Sequence, residues 1–191
     1  MGRKKQFDES EVLKEAMSLF WKQGYEGTTF AALERRTGIS GRSLINCFGD
    51  KENLYASALA AYIAMAKDIF AELFAKPGIE AIKSLFRQIE SAPDDSPGHF
   101  GCLMCNTIYE KEYAYPRFAE TVDSFRALLL QTFRQSLAAD GIRDATDRAE
   151  FLLYHFWGVM TETRRSGSTR VTKLSNRVLF QLMDGWKAAI G

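Results

Sequence analysis

Four residues between positions 42 and 46 have side chains suited to reading the edges of base pairs. Arg42 can present two parallel N–H donors to guanine, and Asn46 can pair bidentately with adenine. Ile45 can meet a thymine methyl, and Ser43 can serve a base or a phosphate. Taken singly, each would pass as an ordinary solvated residue of a short surface helix. A second group, His99-x-x-Cys102-x-x-Cys105, offers one imidazole and two thiols. They could be three zinc ligands, yet no fourth ligand and no second Cys or His pair follows at finger spacing, so no metal is assigned. Cys102 and Cys105 could instead sense oxidants or electrophiles, because a Cys in the first turn of a helix gains thiolate character. They could equally be small apolar residues packed in a core.

A pair of short helices holds the first group. Phe30 and Leu33 give the first helix a narrow apolar face, with the hydroxyls of Thr28 and Thr29 ahead of it as caps. Gly38 suits a left-handed turn, and Ser40 caps the second helix. Leu44 and Phe48, four apart, point inward together and leave Arg42, Ser43, Ile45 and Asn46 on the outer face. Two helices joined around a Gly form the helix-turn-helix pattern, whose second helix enters the DNA major groove. Asp50 should cap the next helix and place its positive end, with Lys51, near the DNA backbone. The candidate DNA-binding set is therefore Thr28, Thr29, Gly41, Arg42, Ser43, Ile45, Asn46, Cys47 and Lys51.

The run from Val12 to Leu54 resembles the N-terminal domain of the TetR family of bacterial transcriptional regulators. The resemblance rests on Ala16-x-x-Leu19-Phe20-x-x-x-Gly24-Tyr25-x-x-Thr28-Thr29, on Thr37-Gly38-Ile39-Ser40, and on Phe48-Gly49-Asp50-Lys51-Glu52-Asn53-Leu54. It implies a dimeric DNA-binding regulator, all-α, whose C-terminal domain senses a small molecule. One departure stands out. Where the family usually carries Leu-Tyr-x-Tyr/His-Phe, this chain has Leu44-Ile45-Asn46-Cys47-Phe48, without the aromatic groups that contact phosphate and sugar in relatives. Gly101-Cys102-Leu103 also resembles a segment of relatives that include electrophile-responsive ones.

Composition narrows the class further. Of 191 residues 46% are hydrophobic and 13% aromatic, enough for a core and unlike a disordered chain. A net charge of +1 excludes a globally basic coat, and residues 1–51 carry only a small basic excess, nine Lys/Arg against seven Asp/Glu. Three cysteines do not make a secreted disulfide scaffold, and the basic start has no apolar run behind it, so a cytoplasmic setting is expected. The apolar run from Leu54 to Ala66 is too short to span a bilayer of roughly 30 Å. No Gly-rich phosphate loop, Gly-x-Ser-x-Gly elbow or His-Glu-x-x-His is present, and nothing around His99 or His155 marks a nucleophile–base pair. No enzymatic activity and no cofactor is implied.

Along the chain, Arg3-Lys4-Lys5 precedes the first helix as a phosphate-following arm or a solubilising tail. Gly24 ends that helix. From Lys51 a helix should run unbroken to about Ala75, stop at Lys76-Pro77-Gly78, and act as a rigid lever between the two parts. Further helices are expected at about 79–91, 102–113, 117–139, 145–165 and 172–190, around a loop at 92–98. The expected domains are residues 1–51, a helix-turn-helix unit, and residues 52–191, for ligand binding and dimerisation. The helix at 145–165 is apolar on more than one face, so it should be buried on two sides. Pairing with the last helix and a second copy would give a four-helix bundle, as the resemblance implies; the alternative is a fully intramolecular core.

An apolar effector cavity should be lined from Tyr62, Met65, Phe86, Ile89, Met104, Ile108, Phe125, Leu129, Tyr154 and Trp157. The reading reached is a homodimeric regulator, acting as a repressor at a palindromic double-stranded operator and released by a small hydrophobic effector. Its rivals are a regulator switched through Cys102 or Cys105, and a Cys-x-x-Cys redox protein without sequence-specific DNA binding.

Overall fold

The structure is a computed structural model that describes residues 7–93, 96–110, 114–168 and 170–189. Nine α-helices and no strand occur among the described residues: α1 Glu9–Gly27, α2 Phe30–Thr37, α3 Gly41–Phe48, α4 Lys51–Leu73, α5 Ile79–Glu90, α6 Leu103–Tyr109, α7 Ala114–Ala139, α8 Ala145–Ser166 and α9 Arg170–Ala188. A single 3-10 turn, Pro97–Phe100, precedes α6.

Of the caps expected from the sequence, Thr29, Ser40 and Asp50 form and Thr28 does not, while Asp8 adds a cap on α1. Asp8 accepts from Ser10 N at 2.8 Å, Thr29 from Ala32 N at 3.2 Å, Ser40 from Ser43 N at 3.2 Å and Asp50 from Asn53 N at 2.8 Å. Two boundaries differ from expectation. Helix α6 stops at Tyr109, and α7 already begins at Ala114, with Pro116 in the first turn, where its missing N–H costs nothing. The Arg3-Lys4-Lys5 arm lies outside the described residues.

Val12, Ala16 and Phe20 bring α1 onto α4, so the helix-turn-helix unit and the rest share one continuous core. Helices α4 and α7 lie side by side in parallel. Tyr55 meets Phe118 at 5.1 Å and Tyr62 meets Phe125 at 5.9 Å, ring pairs seven residues apart on both helices. At 23 residues α4 is long and apolar enough to cross a bilayer by length and composition, which corrects the expectation drawn from Leu54–Ala66 alone. Here that apolar surface is spent on core, with Leu54, Tyr55, Ala58, Leu59, Tyr62, Ala66 and Phe70 all buried.

Around α5 the packing is partly polar. Ile79 N donates to Asp140 at 2.9 Å, so the end of α7 caps α5. Lys83 is buried along its stem and pairs with Glu80 and with Asp184 of α9. Behind it, Asn176 of α9 donates to Phe86 O and to Glu90, which leaves its own oxygen to accept from His155 Nε2 at 3.2 Å. The proton is thereby placed on Nε2, and the imidazole edge meets the Phe86 ring at 5.2 Å.

Burial pushes the His155 pKa below its ordinary value, and the Asn176 bond opposes this only in part. A depressed histidine stabilises the fold above its unfolded value of about 6.5, and that stability is lost as pH falls through the folded value. Urea midpoints measured from about pH 7 to 5 should fall more steeply for the wild type than for His155→Gln. Parallel curves would show that His155 does not titrate differently on folding.

Candidate DNA interface and effector cavity

The turn between α2 and α3 forms as its residues dictate. Gly38 adopts φ 74° and ψ 6°, and its N–H closes α2 on Glu34 O at 2.9 Å. Leu44 is buried and Phe48 half-buried, so α3 turns Arg42, Ile45 and Asn46 outward, with Ile45 50% exposed. Arg42 and Asn46 make no side-chain hydrogen bond or ion pair among the described residues, so both forks are available to base edges. Ser43 is half-buried and shares a hydroxyl contact of 3.0 Å with Ser40. Cys47 is half-buried beside them, and Thr29 is exposed at the mouth of α2.

Two of the expected contact residues, Thr28 and Gly41, are buried in the scaffold, and a third, Lys51, makes a contact within it. Thr28 is fully buried and donates its hydroxyl to Gly24 O at 2.6 Å. Gly41 is buried, its N–H donates to the Glu34 carboxylate, and an added Cβ would meet that oxygen at 2.8 Å. Lys51 Nζ sits 4.4 Å above the Tyr25 ring. Burial lowers its pKa, while Glu110 and Glu26 pull the other way. Its charge is thus turned toward the junction between the two parts.

That junction is built on Gly24. Its φ of 79° and ψ of 172° break α1 and leave the next two backbone N–H groups without helical partners. The Glu110 carboxylate, arriving from the end of α6, accepts both, from Tyr25 N at 2.9 Å and Glu26 N at 2.8 Å. Any Cβ at residue 24 would lie 2.8 Å from Glu110 Oε1, so the glycine serves conformation and close approach together. Two further bonds cross the same boundary, both at Trp21, and a third lies beside it. Trp21 Nε1 donates to Gly101 O at 2.9 Å, Arg164 Nη1 donates to Trp21 O at 2.8 Å, and the Tyr55 and Thr107 hydroxyls meet at 2.8 Å.

Behind Trp21 lies a cavity of about 220 Å³ between α4, α5, α7 and α8. Tyr62, Met65, Ile89 and Phe125 line it, as expected from the sequence. The others of that set lie elsewhere. Phe86, Met104 and Leu129 are fully buried core, Ile108 and Trp157 pack at its edge, and Tyr154 is 60% exposed on the outside of α8. Trp21 and Gln88 are lining residues that the sequence reading missed. Trp21 stood beside Phe20 in an apolar run of α1, and nothing local says that it meets both Tyr62 of α4 and Gly101 ahead of α6.

The thiols stand at the start of α6, where Cys102 is the N-terminal cap. Tyr62 OH donates to Cys102 Sγ at 3.2 Å. Burial alone would raise the Cys102 thiol, but donors from Cys105, Tyr62 and the backbone of Cys105 and Met104 outweigh it and bring it below the ordinary thiol value. Burial and the neighbouring Cys102 push Cys105 the opposite way. His99 is not beside them in function: its two ring nitrogens face Gly167 O at 3.1 Å and Ala92 O at 3.2 Å. No group of three or more His, Cys, Asp or Glu among the described residues is placed to hold a metal ion.

The profile described as bacterial regulatory proteins, tetR family, matches residues 12–58. The HTH-type transcriptional repressor ComR of Escherichia coli K12 is 32% identical over 177 residues, covering 87% of this chain and 84% of its own length. The chain belongs to the TetR family. The uncharacterized HTH-type transcriptional regulator YezE of Bacillus subtilis is 34% identical over 113 residues, a match spanning 58% of each chain. A cysteine mutant of the TetR-family regulator CifR, complexed with 26-base-pair operator DNA, superposes with a TM-score of 0.79 at 25% identity, over 92% of this chain and 98% of that one.

A TetR-family chain is a DNA-binding transcriptional regulator, and these relatives are regulators rather than enzymes. The profile match ends within α4, so Glu110, which fastens the TetR-type unit to the remainder, lies outside it. Replacing one of its two acceptor oxygens by an NH₂ sets donor against donor. Glu110→Gln should therefore lower the unfolding free energy by about 1–3 kcal/mol in urea titration. An unchanged midpoint would mean that this contact is not closed in solution.

Proposed function

We propose that this TetR-family regulator is a repressor that binds a palindromic operator as a homodimer and leaves it when a small, largely hydrophobic effector fills the cavity behind Trp21. The observation that carries the reading is that one side chain, Trp21, belongs both to the wall of that cavity and to the helix that supports the helix-turn-helix. An effector need not act through distant packing. It presses on Trp21 and on Tyr62, whose rings meet edge to face at 5.0 Å. Trp21 is tied to Gly101 and Arg164, and α6 is tied through Glu110 to the broken end of α1. Displacement of α6 therefore reorients α1, α2 and α3 as a unit. Operator affinity then falls by the effector's differential affinity for the two arrangements.

Dimerisation is supported by the outer faces of α8 and α9. Leu174, Val178 and Leu182 form a stripe at intervals of four, 59%, 65% and 42% exposed, beside Phe151 and Tyr154 of α8. A second copy on this face makes the four-helix bundle expected from the sequence. It also sets two α3 helices about 34–36 Å apart, one helical turn of DNA. The CifR cysteine mutant complexed with operator DNA supports DNA binding by this fold. The regulator works in whatever compartment holds its DNA.

Selection of bound sequences from a random duplex pool tests the reading. Wild-type protein should enrich a two-fold-symmetric site, and Arg42→Ala/Asn46→Ala should lose it, each missing base contact costing about 1–3 kcal/mol. Enrichment no better than that of the double variant would sink direct readout by α3.

A second reading, switching by a reactive electrophile, is favoured by the donors gathered on Cys102 Sγ. Its thiolate would add to the activated double bond of the electrophile, forming a carbon–sulfur bond as the π bond breaks, and the proton lost from the thiol would be returned to the adjacent carbon, while the adduct displaces Tyr62 and α6. In a Cys47→Ser background, which removes the half-buried thiol on the DNA side, N-ethylmaleimide should release operator. Cys102→Ser should abolish that release and Cys105→Ser should retain it. Release that survives Cys102→Ser rules the switch out.

A further inference from the structure

A second cavity, of about 380 Å³, opens between the distal halves of α4 and α7 and shares none of the lining residues expected from the sequence. Its floor and sides are apolar, from Phe70, Phe74, Pro77 and Leu128. Its polar groups are one ammonium, Lys67, two hydroxyls, Thr132 and Ser136, and the Gln135 amide. No carboxylate lines it, and Lys67, exposed at the rim, has no ion pair among the described residues. Thr132 Oγ1 spends its proton on Leu128 O at 2.8 Å, which leaves its lone pairs free.

Ser136 is the telling residue. It lines this cavity, is 1% exposed, and its Oγ has no hydrogen-bond partner. On the same helix Ser124 and Thr132 satisfy themselves by donating to the carbonyl four residues earlier. Ser136 does not. A buried hydroxyl without a partner is costly, and one aimed into a concave, mostly apolar site is a ligand contact in waiting.

The parallel register of α4 and α7 orders these groups. Tyr62 pairs with Phe125 and Tyr55 with Phe118, so Lys67 lies toward the Leu128 end and Ser136 toward the Phe74 and Pro77 end. Eight helical residues from Leu128 to Ser136 span about 12 Å. We infer that this cleft is a second small-molecule site, taking a small carboxylic acid with a flat or short apolar body and a hydroxyl or carbonyl at its far end. The carboxylate meets Lys67, the body lies on Phe70, Phe74 and Leu128, and the far oxygen meets Ser136.

Phe70 also lines the cavity behind Trp21, and its ring lies 6.5 Å from Phe125 of that cavity. A ligand in either cavity constrains the same ring, so the two sites affect each other's affinity by equal factors. The acid is thus a modulator of the effector rather than a competitor for its place.

The test is direct binding to the full chain by isothermal titration with 4-hydroxycinnamate, so it can fail while operator binding stands, and the reverse. A Kd between about 0.01 and 1 mM is expected. Lys67→Gln should weaken it about tenfold and Ser136→Ala about fivefold, while Ala71→Phe, which fills the cleft from an exposed position, should abolish it. Ile89→Phe, which fills only the other cavity, should retain binding, and 4-hydroxycinnamyl alcohol should bind at least about tenfold more weakly than the acid. Unfolding midpoints confirm that each variant is folded. Absence of binding by both 4-hydroxycinnamate and 4-hydroxyphenylacetate to about 10 mM overturns the proposal. So does binding lost with Ile89→Phe but kept with Ala71→Phe, or equal binding of acid and alcohol.

Discussion

The arrangement depends on one carboxylate meeting two backbone N–H groups. Glu110 reaches Tyr25 and Glu26 only because Gly24 turns the backbone out of helical conformation and presents both donors on one side. A helix that ran on through residue 24 would have used those donors internally, and any side chain there would have kept the carboxylate away. Thr28 then donates back to Gly24 O, and Lys51 settles over Tyr25 beside the same charges. The angle at which α2 and α3 leave α1 is therefore set partly from α6, a helix about eighty residues further along the chain.

Helix α6 is short, seven residues, yet it is buried along nearly its whole length and bonded at both ends. At its start Cys102 receives the Tyr62 hydroxyl; at its middle Thr107 meets Tyr55; after its end Glu110 holds α1. A close-packed core transmits a displacement rather than absorbing it. A short element with fixed points at both ends moves as a body. The thiol pair and the apolar cavity therefore touch the same element, and under the proposed mechanism they would be alternative inputs to one output.

The sequence was most legible where structure is local. Caps at Thr29, Ser40 and Asp50, the left-handed Gly38, and the inward pair Leu44 and Phe48 follow from residue type and spacing alone, and each forms. The cavity was half legible. Tyr62, Met65, Ile89 and Phe125 lie on its wall, but periodicity cannot tell a cavity wall from the core one turn away, where Phe86 and Leu129 went. Tyr154 failed for a different reason: an amphipathic helix with two apolar faces does not say which face looks outward. Glu110 and Trp21 were not legible at all. Their partners are 85 and 80 residues distant, and nothing in their own neighbourhoods departs from an ordinary surface Glu or core Trp.

Placing Trp21 in the cavity wall also limits what the effector must supply. A ligand that bound both arrangements equally would change nothing, however tightly it bound. Each tenfold loss of operator affinity requires about 1.4 kcal/mol of preference for the released arrangement. The edge of one indole, its N–H bond to Gly101 O and the Arg164 bond to the Trp21 backbone carbonyl are of that order. An effector that fits only when Trp21 has moved obtains its preference at the point of contact. The strain need not be relayed along the 23 residues of α4. Under the proposed mechanism α4, expected from the sequence to be a lever, would instead be the wall against which Trp21 and α6 shift, since its buried face is packed on several helices at once.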